Sequence, residues 1–125
     1  MPRVLIVDDE PGIRFALKRW FERQQWHVEE AQDGRQALQI IDGVSPDAMF
    51  DLVVSDLHLP VVSGDELIQS LTTTHPALAA RVILTTGDAV QDAARDSVLA
   101  RHPHVLQKPF DLSTLRGAVD RILAQ

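Results

Sequence analysis

No cysteine occurs among the 125 residues, which excludes disulfides, thiol catalysis and thiolate metal sites. The chain is also short of cations: 12 lysines and arginines stand against 18 aspartates and glutamates, a formal net charge of −6. Binding nucleic acid regardless of sequence needs a cluster of cations to displace counterions from phosphates, so this balance predicts no direct nucleic-acid partner. No apolar run approaches the roughly 20 residues of a membrane-spanning helix, and none is predicted. Met1-Pro2-Arg3 leads straight into a short apolar run and an acidic pair, with no signal-peptide core; together with the absent cysteine this predicts a cytoplasmic protein. Repeats, low-complexity tracts and linkers are missing as well. What is present, 45% hydrophobic and 24% charged residues, suits one globular domain over residues 1–125, burying about two thirds of the unfolded chain's surface.

Short apolar runs alternate with helical patterns. Strands are predicted at Arg3–Val7, His27–Ala31, Leu52–Asp56, Val82–Thr86 and 105–108. Glu29 and Glu30 make the second too polar for a sheet centre, so it reads as an edge. Helices are predicted at 11–25, where Pro11 takes a first-turn position, then from Asp33-Gly34 through Ile41, over 65–73, weakly over 90–98, and over 112–123. The last carries one stripe of Leu112, Leu115, Ala118, Val119, Ile122 and Leu123, with Asp111 or Ser113 as its cap. Residues 43–50 read as a surface loop, and His102-Pro103-His104 as a solvated loop without metal-ligand spacing. Trp20 and Phe21 lie in a helical stripe and read as packing residues. Strict strand–helix alternation predicts an α/β fold: a single doubly wound five-stranded parallel sheet, order 2-1-3-4-5, flavodoxin-like.

Four side chains then converge. Strands of one parallel sheet end on one edge, so Asp8 and Asp9 after strand one, Asp56 ending strand three and Lys108 ending strand five meet in the crevice where the chain reverses direction. Two carboxylates 4 Å apart repel by roughly 4 kcal/mol at an effective dielectric near 20, so such a cluster calls for a hard divalent cation with oxygen ligands. An ammonium beside it supplies a counter-charge for phosphate.

Val-Leu-Ile-Val-Asp-Asp-Glu at 4–10, Val-Val-Ser-Asp-Leu-His-Leu-Pro at 53–60 with Gly64 eight residues past Asp56, Leu-Thr-Thr-Gly at 84–87 and Gln-Lys-Pro-Phe at 107–110 fall in order after the right strands. Together they resemble the receiver domain of two-component response regulators, across the whole chain. The resemblance implies that a sensor histidine kinase or histidine phosphotransfer protein passes its phosphoryl group to Asp56, in a Mg²⁺-dependent reaction that the receiver itself catalyses together with its reversal by hydrolysis. It implies that Asp9 and Asp56 bind Mg²⁺ directly, Asp8 mainly through water, and His58 through its backbone carbonyl. Thr86 and Lys108 would each hold a phosphoryl oxygen, the Lys108–Pro109 bond would be cis, and His58 and Asp88 would flank the path of the hydrolytic water. The output would leave through the face built by the helix at 90–98, the fifth strand and the last helix, toward an output domain or a second receiver.

Val105 departs from this pattern, because many receivers carry tyrosine or phenylalanine three residues before the lysine. Competing readings are weaker. A haloacid-dehalogenase-type phosphatase would want Asp-x-Asp-x-Thr after one strand, a flavin carrier would want a Ser/Thr-rich phosphate loop, and a degenerate receiver serving only as an interaction module would lack site residues that are all here.

Overall fold

The computed structural model describes residues 1–87 and 102–124. Five strands, β1 (Arg3–Val7), β2 (His27–Ala31), β3 (Leu52–Asp56), β4 (Val82–Thr86) and β5 (Val105–Gln107), form one parallel sheet in the order β2-β1-β3-β4-β5. Period-two alternation divides each strand between two apolar layers. From β1, Val4 and Ile6 join Leu17, Phe21, Leu115 and Ile122 on one side. Leu5 and Val7 join Ala37, Ile41, Leu67 and Leu71 on the other. β3 and β4 are buried at every residue, while β2 exposes Glu29 and Glu30 at the edge that their charge predicts.

The first layer holds α1 (Pro11–Arg23) and the last helix, and the second holds α2 (Gly34–Gly43) and α3 (Gly64–Thr74). Each helix start has a local cause. Pro11 occupies the first turn of α1 without losing a bond, since that N–H has no partner inside a helix. Asp33 accepts from the Gln36 N–H at the start of α2, and Ser63 and Glu66 form a reciprocal capping box on α3. A single helical turn, α4 (Pro76–Ala79), follows α3, and the final helix α5 (Leu112–Leu123) is capped by Asp111, which accepts from the Thr114 N–H. Three hydrogen bonds at that cap hold the Asp111 carboxyl near pKa about 2, the Ser113 hydroxyl contributing most.

Three expectations change. Residues 43–50 are more than a surface loop: a 3₁₀ turn at Pro46–Ala48 lets Val44 and Met49 pack on the core and buries Phe50, closing the end of the sheet away from the aspartates. The connection to β4 contains the unpredicted α4, because Pro76 ends α3 and starts a new turn that places Leu78 in the core. His104 is not solvated; it is 6% exposed, two residues before Leu106, and close enough to Arg121 of the final helix for that cation to act on it. The helix expected over 90–98, and Asp88, lie outside the described residues. No described helix is long and apolar enough to cross a membrane.

Candidate metal centre

The sheet edge at the strand C-termini gathers Asp8, Asp9, Glu10 and Asp56, each offering one carboxylate oxygen within 4.8 Å of those of the others. β1 delivers the first three and β3, its direct neighbour, the fourth. The expected Asp8, Asp9 and Asp56 therefore come together. Glu10 joins them unexpectedly; its signal was the third acid of Asp-Asp-Glu, which reads equally well as a helix-capping turn. It is in fact the N-cap residue of α1, and its side chain makes no cap hydrogen bond. Asp8 and Asp56 are buried, whereas Asp9 and Glu10 are exposed.

Each buried carboxylate is held. Asp8 Oδ1 accepts the Glu10 N–H at 2.9 Å, and Asp56 Oδ1 accepts the His58 N–H at 3.3 Å. Lys108 donates from Nζ to Asp8 Oδ2 at 3.2 Å and to Asp56 Oδ2 at 3.3 Å. Burial raises the pKa of Asp56, Lys108 opposes that and Asp8 adds to it. For Lys108 burial works against the ammonium, but Asp8 and Asp56 outweigh it and its pKa rises. Both directions describe one fact: two buried negative charges share a single positive one.

Thr86 is fully buried at the end of β4, one residue past the Thr85 that pairs with Asp56, and its carbonyl accepts the Lys108 N–H at 2.6 Å. His58 is exposed on the loop after β3. The Lys108–Pro109 bond is cis. Val105 is half-buried, packed against the apolar layer of α2 and α3.

Two close backbone approaches shape the loop that leaves Asp56. A Cβ at Gly64 would stand 2.6 Å from the Asp56 carbonyl oxygen, and one at Gly34 would fall on the Val62 carbonyl, so both positions need glycine for space alone. Between them the Val62 N–H bonds the Pro60 carbonyl at 2.8 Å around Val61 at φ 68°, a γ-turn with a β-branched residue at its strained centre.

An all-carboxylate donor set suits a hard divalent cation, and a mixed buried and exposed set leaves room for water and a further oxygen ligand, as Mg²⁺ requires. Residues 4–120 match the family model of the response regulator receiver domain. Sporulation initiation phosphotransferase F of Bacillus subtilis is 31% identical over 121 residues, which span 97% of this chain and 93% of that protein. Response regulator MprA of Mycolicibacterium vanbaalenii is 35% identical over 97% of this chain, but the chain spans only 50% of it. Among solved structures, the response regulator protein TrrA of Thermotoga maritima in complex with Mg²⁺ and BeF superposes with a TM-score of 0.80 at 27% identity, covering 98% of this chain and 99% of that one.

Proposed function

Because this chain belongs to the response regulator receiver domain family, we propose that it accepts a phosphoryl group on Asp56 from a phosphohistidine of a sensor kinase or phosphotransfer protein, with Mg²⁺ as cofactor. The observation that carries the reading is the Lys108 ammonium bridging Asp8 and Asp56 at the mouth of a four-carboxylate cluster. Such a cluster cannot receive a phosphoryl group, itself anionic, unless positive charge is gathered around it. Asp8, Asp9 and Asp56, with the His58 carbonyl and the newly found Glu10 beside them, would hold Mg²⁺, which neutralises charge on the transferring oxygens.

The remaining steps belong to the chain. An Asp56 carboxylate oxygen bonds to phosphorus as the bond from phosphorus to the donor imidazole nitrogen breaks; the electron pair stays on that nitrogen, which takes up a proton. Lys108 leaves Asp56 Oδ2 for a phosphoryl oxygen, and the Thr86 hydroxyl donates to another. His58, exposed beside the acceptor, lies where water must approach for hydrolysis. Beside the site a groove of about 530 Å³ runs from Lys108 and Glu10 over Ile13, Ala16, Leu17 and Phe110. An apolar face of the donor protein seated there would bring its phosphohistidine to Asp56. The domain, proposed to span 1–125, would act in the cytoplasm and signal to an output domain or second receiver.

Incubation with a small phosphodonor, followed by intact mass and peptide mapping, tests the assignment. One Mg²⁺-dependent phosphoryl adduct on Asp56 is expected. A stable adduct on Asp56→Asn, or undiminished labelling in excess chelator, would overturn it.

A further inference from the structure

We infer that Arg14 is a positioning residue for the metal site: its guanidinium holds the Asp8-Asp9-Glu10 turn through the Asp8 carbonyl and so presents the exposed Asp9 and Glu10 carboxylates to the cation. The inference rests on the Mg²⁺ reading above and extends it to a residue outside the cluster. Arg14 Nη1 donates to the Asp8 carbonyl at 2.6 Å, and its own N–H donates to the Glu10 carbonyl at 3.1 Å. The guanidinium thus ties the Asp8 end of the turn, while the Glu10 end is closed by the first backbone bond of α1, which any residue at 14 would make. The guanidinium is anchored in turn, with Nε 3.5 Å from Glu30 Oε1 on β2, while Lys18 Nζ stands 3.5 Å from Glu30 Oε2. Only 18% of the Arg14 side chain is exposed, so the clamp sits partly screened from water.

Asp8 needs this last contact least for its carboxylate and most for its backbone. Its N–H pairs with the Ala31 carbonyl at 3.1 Å and its carboxylate is held by Glu10 N–H and Lys108. Its carbonyl, where the chain turns from strand to helix, is held by Arg14. Among the described residues no hydrogen bond or ion pair fixes the Asp9 carboxylate, so its direction follows from the backbone of the turn. Partners of this kind, one bond removed from the ligands, commonly change metal affinity by about 10-fold or more when lost. A planar guanidinium can serve Asp8 and Glu30 at once; a lysine ammonium on the same stem cannot match that fork.

Charge alone predicts the opposite sign, which makes the proposal decidable. Deleting a cation near a divalent ion's site removes repulsion and should tighten binding; loosening the turn should weaken it. The experiment is calorimetric titration of Mg²⁺ alone into wild type, Arg14→Ala and Arg14→Lys, with amide hydrogen exchange at Asp9 and Glu10 in metal-free protein. Expected are about tenfold weaker Mg²⁺ binding and faster exchange in Arg14→Ala, with Arg14→Lys restoring little of either. Tighter or unchanged Mg²⁺ binding in Arg14→Ala, or full recovery by Arg14→Lys, would overturn the inference. Should Arg14→Ala fail to fold, Arg14→Lys decides alone: wild-type affinity and exchange in it overturn the clamp. A wild type that binds no Mg²⁺ would overturn the metal reading, and unchanged exchange would overturn the clamp whatever Mg²⁺ does.

Discussion

Lys108 leaves the edge strand β5 and reaches past β4 to place Nζ 3.3 Å from Asp56 Oδ2 at the end of β3, joining residues 52 positions apart. The same ammonium stands 3.2 Å from Asp8 Oδ2, so removing it leaves two buried carboxylates facing each other. Lys108→Met should lower stability by about 2 kcal/mol or more, since losing one partner of a buried pair exposes the full cost of the other. Asp56→Asn should raise stability, because burial has already lifted the Asp56 pKa and its charge is a burden on the fold. The double variant should recover most of the loss. Urea midpoints of all four proteins give the coupling; additive effects would mean that the contact carries no energy.

Mg²⁺ should stabilise the protein by mass action, as it binds the folded site and not the unfolded chain. Asp9→Asn, which deletes one of the two exposed carboxylates of the cluster, should be at least as stable as wild type in chelator and lose most of the Mg²⁺-dependent rise in Tm. A thermal melt with and without 10 mM-scale Mg²⁺, on the order of ten times a weak Kd, reads both. An unchanged shift in Asp9→Asn would remove it from the ligand set.

His102 and His104 predict an acid limb of stability. The rings lie 6.1 Å apart, edge to face, His102 Nε2 donates to the Val82 carbonyl, and among the described residues neither ring nitrogen of buried His104 finds a hydrogen-bond partner. Burial lowers both pKa values; the His102 charge and Arg121 on α5 lower that of His104 further. A histidine depressed in the folded state contributes stability that is full above the ordinary value near 6.5 and is lost as pH falls below it toward the folded pKa. His104→Phe should therefore lose less stability than wild type between pH 7 and pH 5, by urea midpoint. Parallel pH profiles would show that His104 stays uncoupled from folding.

Val61 should be replaceable with a gain. It sits at φ 68° with 70% of its surface exposed, so valine there carries the strain of a left-handed β-branched residue and buries little in return. Val61→Asn, a residue that adopts this conformation readily, should stabilise by about 1 kcal/mol. Denaturant melts check it. A loss on substitution would mean that the valine side chain makes contacts outweighing its backbone cost.

The sequence by itself determined what depends on local pattern: five strands and their order, because β3 and β4 are apolar throughout and β2 carries Glu29 and Glu30, and the convergence of Asp8, Asp9, Asp56 and Lys108, because parallel strands end on one edge. Long-range packing decided the rest. His102-Pro103-His104 has the composition of a wet loop, and only the tertiary packing buries His104. Residues 43–50 read as a loop until the open end of the sheet claims Phe50 and Met49 for the core. Glu10 takes the N-cap position of α1 without a side-chain cap bond, and only the meeting of β1 and β3 at one edge brings its carboxylate near that of Asp56. Arg14 lies at the border of the apolar stripe of α1, three residues before Leu17, and only the closeness of α1 to the end of β1 brings its guanidinium to the Asp8 carbonyl. A one-dimensional pattern records which side of an element faces the core; it does not record which atoms of another element wait there.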